Sequence, residues 1–337
     1  MDKPQAGPRG LQAAPPPLRS DSERAVASSF RKEVRLSRSI LHMLTPLKHM
    51  SPFDVNMAVD AGFEVVSTYT GVERGEVVPL VQDSIFSRAP QDGTRTAIFI
   101  GGKNAEAALD MVDAATGAFV PPFVNHVFAD PAGSFTTGAA MVACTRKALA
   151  DRFGETLTGK RVAIFGGTGV VAYCAAVIAA QEGALPVIVG YNGRERVAAI
   201  AEGMQARFAV AVEAADGATP EGRLAAARDA EVILSAAAAG VQVLSAEDVA
   251  QAGRLLVAAD VNAVPPAGIA GIDVHADAVP LPSGRGVGIG ALAIGNVKYQ
   301  TQAGLFRRLL QADQPLVLDF REAYRLAVEL TDHPASA

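Results

Sequence analysis

A two-domain α/β protein built on parallel sheets is what this sequence predicts, and three observations carry that prediction. Between residues 38 and 153, short apolar runs of strand length alternate with helix-length segments through four units, the order that yields parallel strands joined by right-handed crossovers. Residues 160–190, KRVAIFGGTGVVAYCAAVIAAQEGALPVIVG, then give a strand, a glycine turn, an apolar helix and a second strand without interruption. The length of 337 residues, 50% of them hydrophobic, supplies material for two packed cores.

Taken in order, residues 1–37 carry Pro15, Pro16 and Pro17, several Ser and Arg, and no apolar periodicity. They are expected to be a disordered extension. Asp2, Asp21, Glu23 and Glu33 count against a transit peptide, and no apolar segment suggests a secretory signal. The first domain, 38–153, follows with strands at 39–44, 63–69, 96–100 and 123–129. Its helices fall at 52–62, 76–87, 104–116 and 136–153. In such a sheet ligands meet the carboxyl ends of the strands, and three of those ends are chemically distinctive.

At 45–52 Lys48 and His49 precede Ser51 and Pro52, residues suited to an N-cap and first helical position; a capped turn and a ligand loop read equally well. At 101–104 a glycine pair presents Lys103 at a helix start, where a cation opposes the helix dipole by about 0.3–1 kcal/mol. Either an anionic ligand accounts for it or the lysine is simply solvated. At 130–138 Asp130 precedes Ser134 and Thr137. Ser134 suits a helix cap, and Asp130 suits a hydrogen bond to a heterocycle.

The second domain, 154–296, opens on the strand 161–165, after which Gly167, Gly169 and Ala172 fit G-x-G-x-x-A just where the helix 170–181 begins. Gly167 is expected to permit the tight turn, Gly169 to let the backbone approach a pyrophosphate, and Ala172 to let the helix pack close to the strand. The helix start offers free N–H groups and a positive dipole end. This is a Rossmann-type dinucleotide signature. Its second strand, 186–189, ends in GYNGRER without the acid that holds the ribose hydroxyls of NAD; Tyr191, Asn192 and Arg194 are neutral or cationic and tolerate a 2′-phosphate. NADP, or NADP alongside NAD, is therefore expected. Later strands at 231–237 and 255–261 should flank the nicotinamide, followed by a Pro/Gly loop at 260–273 too long for a minimal connection. The glycine tract 284–295 reads as close approach of backbone to cofactor or to the other domain. Helices at 296–310 and 316–330 return to brace the first domain, completing it with residues 297–337.

Composition narrows the partners. A net charge of −5, with 30 Lys and Arg scattered through the chain, gives no footprint for nucleic acid, and no apolar run suits a membrane span. Cys144 and Cys174 fall in expected helices without C-x-x-C spacing and read as small buried hydrophobes in a reducing, cytoplasmic setting. His42 and His126 fall in expected strands, and the histidines lack metal-ligand spacing, so no metal is expected. The low charge content, 19%, makes a homo-oligomer a reasonable expectation.

Several long stretches resemble the NAD(P)-dependent methylenetetrahydromethanopterin dehydrogenases, in particular the subgroup using both NAD and NADP. They are SILHMLTPLKHMSPFDVNMAVDAGF, IFIGGKNAE, FADPAGSFTTGAAMVA, FGGTGVV, DVNAVPPAGIAGID and GVGIGALAIGNVKYQ, and the likeness runs from about residue 39 to 329. The resemblance implies a pterin-binding domain and a nucleotide domain facing each other across a cleft. The implied reaction converts methylene- to methenyl-tetrahydromethanopterin during formaldehyde oxidation in methylotrophic one-carbon metabolism. It implies Lys298 and Lys103 near the reaction centre. Lys48, His49, Lys103, Asp130, Ser134, Thr137 and Pro265 would meet the pterin. For the cofactor it implies Gly166, Gly167, Thr168, Gly169, Val170 and Val171 at the turn, with Tyr191, Asn192, Arg194, Ser235, Ala236, Asp260, Asn262 and Gly290 around it. Lys298 reads equally as a solvent-exposed helix lysine. Two other readings stand beside this one: a methylenetetrahydrofolate dehydrogenase, and a non-catalytic NAD(P)-sensing module that needs no pterin pocket.

Overall fold

A computed structural model describes residues 37–333, so the expected extension lies outside the described residues apart from Ser37. From Arg38 onward the chain forms one compact unit holding two sheets. The first sheet has five parallel strands in the order β12-β4-β3-β1-β2. They are β1 (Ile40–Thr45), β2 (Val65–Thr70), β3 (Thr96–Ile100), β4 (His126–Ala129) and, from the far end of the chain, β12 (Val317–Leu318). β3 and β4 are buried along their whole length, which is why they read as continuous apolar runs. The helices between them are α1 (Pro52–Ala61), α2 (Arg74–Phe86), α3 (Ala105–Gly117) and α4 (Ser134–Phe153).

The second sheet has seven strands in the order β10-β11-β9-β8-β5-β6-β7. Its central members are β5 (Arg161–Phe165), β6 (Leu185–Gly190), β7 (Glu213–Asp216), β8 (Val232–Ser235) and β9 (Val257–Asp260), and they run parallel. β11 (Val287–Ile289) continues the parallel set, and β10 (Val279–Pro280) pairs antiparallel at the edge. The intervening helices are α5 (Val170–Gln181), α6 (Arg194–Phe208), α7 (Pro220–Arg228) and α8 (Ala246–Gln251).

Two helices complete the chain, α9 (Ala291–Gln311) and α10 (Phe320–Asp332). Their boundaries differ from the sequence reading. α9 starts at Ala291, inside the stretch read as a glycine tract, because Gly295 is tolerated on an exposed helix face. The segment read as a helix from residue 316 first lays down β12, whose two residues are too few to show a strand period. β7 escaped the reading altogether, since EAAD offers no apolar run. Cys174 is buried as expected, but Cys144 is only half-buried.

Aromatic packing joins the two layers of structure. Phe306 of α9 lies 5.6 Å from Phe99 and 5.1 Å from Phe128, on β3 and β4. Phe320 of α10 lies 5.3 Å from Phe135 of α4 and 5.5 Å from Phe208 at the end of α6. All but the tilted Phe99–Phe306 pair are edge-to-face, and such aromatic pairs each add about 0.5–1.5 kcal/mol beyond area burial.

His126 fastens β12 to the first sheet. Its Nδ1 accepts from the Leu316 N–H at 2.9 Å, and its Nε2 lies 2.9 Å from the Thr94 carbonyl, so the neutral ring protonated on Nε2 satisfies both. Burial pushes its pKa below 6.5, against the opposing pull of the Thr94 carbonyl. The unfolded ring takes its proton near 6.5 and the folded ring only at lower pH. This contribution to stability is therefore complete above 6.5 and is lost as pH falls through the folded value. Replacing His126 with Leu should cost about 1–3 kcal/mol at pH 7 by stranding two backbone groups. It should also flatten the loss of stability between pH 7 and pH 5, as read from urea midpoints. An unchanged pH dependence would show that another group sets the acid limb.

Candidate active site

The glycine turn closes β5 onto α5. Gly166 takes a left-handed φ of +80°, and a Cβ there would lie 2.4 Å from the Ala236 carbonyl oxygen. The tight turn therefore belongs to Gly166, not to Gly167 as the spacing suggested. Gly167 instead lets the chain pass against β6, its N–H donating to the Val189 carbonyl at 3.1 Å, where a Cβ would sit 3.0 Å from that oxygen. Gly169 stands at the N-cap of α5 with no side chain capping the helix. Ala172 is fully buried behind it, and Val170 and Val171 are half-buried at the helix start. An uncapped N-terminus opening on a backbone cradle fits a pyrophosphate. Beside it lies a cavity of about 530 Å³ lined by Gly166, Thr168, Gly169, Tyr191, Ala236 and Arg223 among others.

Arg223 was not singled out in the sequence, and Arg194 was. Arg194 turns away from this cavity, its Nε donating to the Ala214 carbonyl at 3.0 Å, and lines a separate groove with Glu213 and Leu185. Tyr191 and Asn192 are exposed at the end of β6.

Ser235, Asp260, Asn262 and Gly290, also expected at the cofactor, are not among the residues lining this cavity and hold the loops around it. Asp260, at the end of β9, is buried beside Ser235 and accepts from the N–H groups of Asn262 and Ile269 at 3.0 and 3.1 Å. Burial raises its pKa, and these hydrogen bonds pull it back. The Asn262 amide accepts from the Gly240 and Val264 N–H groups at 3.1 and 3.0 Å and donates to the Pro266 carbonyl at 2.9 Å. Its side chain is thus committed to tying the 260–266 loop to the segment after β8. Pro265 is exposed on that loop. The glycines before α9 make room for their own neighbourhood: a Cβ on Gly290 would lie 2.1 Å from the Asp273 carbonyl oxygen, and one on Gly286 2.8 Å from that of Leu256. The expected approach to the cofactor or the other domain is not what requires these two residues to be glycine.

A second cavity, of about 500 Å³, opens where β1, β3 and β4 end, lined by Thr45, Lys48, His49, Ser51, Asp54, Lys103 and Ala132 among others. The capped-turn reading of its first loop holds, Ser51 capping α1 by accepting from the Asp54 N–H at 3.3 Å, and Ser51 also lines the cavity. Lys48, His49 and Lys103 are exposed, and Asn104 caps α3 behind Lys103.

Beneath this cavity lies a polar chain. Lys298 Nζ donates to Gln302 Oε1 at 2.6 Å, and Gln302 Nε2 donates to Asp54 Oδ1 at 2.7 Å. The ammonium also sits 3.8 Å from the centre of the Phe53 ring. Lys298 lies two turns into α9, not at a helix start. Burial lowers its pKa while Asp130 and Asp54 pull it back up. Asp54 is 1% exposed, and its Oδ2 has no hydrogen-bond partner. Burial raises its pKa, against Gln302, Lys298 and Ser51.

Asp130 is fully buried and accepts from the N–H groups of Phe135 and Thr136 and the Thr136 hydroxyl, at 2.9, 3.2 and 2.7 Å. It is therefore the carboxylate that anchors the start of α4; Ser134 is the first residue of that helix rather than its cap. Thr137 is turned back, its hydroxyl donating to the Gly133 carbonyl at 2.7 Å. Burial, then the neighbouring Asp54 charge, push the Asp130 carboxyl up to about 6. Phe53, Asp54 and Gln302 were absent from the sequence reading. The spacing of Lys298 and Gln302, one helical turn apart, was the available signal.

Comparison with known proteins follows this geometry. Residues 52–132 match the family model of the methylene-tetrahydromethanopterin dehydrogenase N-terminal domain. An NAD(P)-dependent methylenetetrahydromethanopterin dehydrogenase of Methylorubrum extorquens is 70% identical over 295 residues, spanning 88% of this chain and 99% of its own. The bifunctional protein MdtA of the same organism is 31% identical over 295 residues, 88% of this chain and 100% of its own. Among solved structures, ornithine carbamoyltransferase from Pyrococcus furiosus is similar at a TM-score of 0.48 and 16% identity, covering 84% of this chain and 89% of that one.

The division of labour between the turn glycines is testable. Gly166→Ala adds a methyl group against the Ala236 carbonyl at a strained φ, and should lower stability by about 1–3 kcal/mol and weaken dinucleotide binding. Gly169→Ala meets its nearest atom at 3.2 Å with an ordinary φ of −86° and should be milder in chemical denaturation. Equal losses would remove the distinction.

Proposed function

The chain belongs to the NAD(P)-dependent methylenetetrahydromethanopterin dehydrogenases, and on that premise we propose how its residues carry out the oxidation of methylene- to methenyl-tetrahydromethanopterin. Bound at the 166–172 turn, NAD(P)⁺ supplies the hydride acceptor. A hydride leaving a carbon flanked by two nitrogens produces a delocalised cation, so no strong general base is required. The chain's task is to position the pterin, to keep water from a hydrolysable product and to stabilise the positive charge that develops.

One observation carries the assignment of the two cavities to a single site. α4 and its N-cap Gly133 pack against an element of each side. A Cβ on Gly133 would lie 3.0 Å from Lys298 Nζ, while one on Gly138 would lie 2.9 Å from the Val171 carbonyl oxygen and the Cys174 Cβ at the start of α5. The pterin-side lysine and the cofactor-side helix are thus fixed to one rigid element.

In this reading residues 38–153 with 297–337 hold the pterin and residues 154–296 the dinucleotide, across a cleft. Lys48, His49 and Lys103, exposed on the cavity rim, meet the anionic side arm of the pterin. Lys298 donates to the ring system, and Asp54 and Asp130 keep its charge. With both carboxylates ionised the group is net negative, which favours formation of the methenyl cation. On the same reading the protein is a cytoplasmic homo-oligomer working in formaldehyde oxidation. No described helix is long and apolar enough to cross a membrane.

Spectrophotometric assays crossing the methanopterin and folate substrates with NAD and NADP should give the highest kcat/KM on methylenetetrahydromethanopterin. Lys298→Ala should lower that kcat/KM about a hundredfold with dinucleotide affinity nearly unchanged, and Lys103→Ala should raise KM for the pterin. If both variants matched the parent, these two lysines would have no part in the site.

A further inference from the structure

Arg223 is the one charged side chain among the residues lining the dinucleotide cavity, whose other walls are glycine, alanine, valine, Phe165, Thr168 and Tyr191. It is half-buried on α7. Its Nε donates to the Val243 carbonyl and its Nη1 to the Gly217 carbonyl, both at 3.1 Å. These bonds fix the plane of the guanidinium, and they leave Nη2 without a protein partner among the described residues. Neither contact supplies a negative charge. Arg161, Arg207 and Arg254, by contrast, each meet a carboxylate. A half-buried guanidinium held by neutral acceptors and facing a cavity has its charge left for a ligand.

The position of that charge is informative. The Gly217 N–H donates to the Gly190 carbonyl at 2.9 Å, so the carbonyl that holds Arg223 belongs to a residue bonded to the last residue of β6. In a sheet of this order the end of that strand is where the adenosine ribose rests, and a carboxylate there selects the free 2′-hydroxyl of NAD. Here Gly190 and Tyr191 occupy the strand end, and Arg194 points into another groove. We infer that Arg223 is the specificity-determining residue for the 2′-phosphate of NADP, reaching the phosphate through Nη2 from its two carbonyl anchors. Lacking any carboxylate, the same cavity still admits NAD. The inference rests on the reading that a dinucleotide occupies the 166–172 turn, and it assigns to α7 the task that the sequence suggested for Arg194.

Calorimetric titration of NADP⁺, NAD⁺ and 2′,5′-ADP into the full-length protein tests it without turnover. Arg223→Ala should weaken NADP⁺ and 2′,5′-ADP by roughly tenfold to a hundredfold, the worth of a charge-assisted hydrogen bond. NAD⁺ should stay within about threefold, since it has no group for that bond. Arg223→Gln, which keeps a hydrogen-bonding side chain without the charge, should show the same selective loss should the alanine variant fold poorly. Arg194→Ala should leave the NADP⁺ to NAD⁺ affinity ratio unchanged. Equal weakening of both dinucleotides would make Arg223 a strut of the cavity wall and overturn the inference, as would no weakening of either. A parent protein that bound neither dinucleotide would instead overturn the reading on which the inference rests.

Discussion

The half-buried ammonium of Lys298, hydrogen-bonded to Gln302 and under the electrostatic pull of the Asp130 and Asp54 carboxylates, is the constraint that ties distant parts of the molecule together. An ion removed from water loses several kcal/mol of hydration, and only close opposite charge and hydrogen bonds restore it. The groups that do so come from three distant parts of the chain: α1, the end of β4, and the middle of α9. α9 follows β11 of the seven-stranded sheet and meets the five-stranded sheet through Phe306, 5.6 Å from Phe99 and 5.1 Å from Phe128, as well as through the chain from Lys298 to Gln302 to Asp54. The charge group thus adds a polar tie to the aromatic seating of a long helix that joins the two sheets. Asp130 adds a further tie, because the carboxylate facing Lys298 also accepts from the first N–H groups of α4.

α4 converts that fixed point into a distance. Gly133 at its N-cap lies against Lys298, Gly138 in its second turn lies against the start of α5, and its Phe135 is wedged on Phe320. A reaction whose barrier depends on positioning, not on proton removal, is sensitive to small displacements of the two partners. Backbone-to-backbone contact at Gly138 sets the separation more firmly than interlocked long side chains would, because no rotamer change relaxes it.

The parts of this arrangement that depend on period and apolar content were legible in the sequence. The strand at Arg161–Phe165 and the helix at Val170–Gln181 lie where they were expected, since a buried parallel strand and an apolar helix after a glycine turn carry dense local signals. The strand at Thr96–Ile100 was equally plain, and the helix after it starts one residue later than expected, with Asn104 as its cap. What depends on tertiary direction was not. Gly166 and Gly167 are chemically identical, and only the position of Ala236 decides which of them must take the left-handed turn. Arg194 and Arg223 each follow a strand end, and only the course of α7 decides which faces the cavity. Asp54 sits in the first turn of α1, where an acid is explained by the helix dipole alone, so its buried bond to Gln302, 248 residues away, left no local trace. The site residues came chiefly from resemblance, and the structure shows that several, Asp260 and Asn262 among them, act by holding loops in place.

The two cavities also differ in charge, and the difference suits the ligands proposed for them. The cofactor side offers a helix start and one guanidinium, both attractive to phosphates. The pterin side has lysines at its rim but two carboxylates against one ammonium beneath. In the proposed arrangement an anionic side arm would be met at the rim, and the carbon that becomes cationic would lie over the net negative interior. Burial, and then the neighbouring Asp54 charge, push the Asp130 carboxyl up to about 6, and burial raises Asp54 as well, so the negative charge of that interior falls as pH is lowered. A proton taken up by Asp130 falls on the same carboxylate that anchors α4. Electrostatic support for the cation and the rigidity of the helix that sets the distance are therefore linked through one side chain.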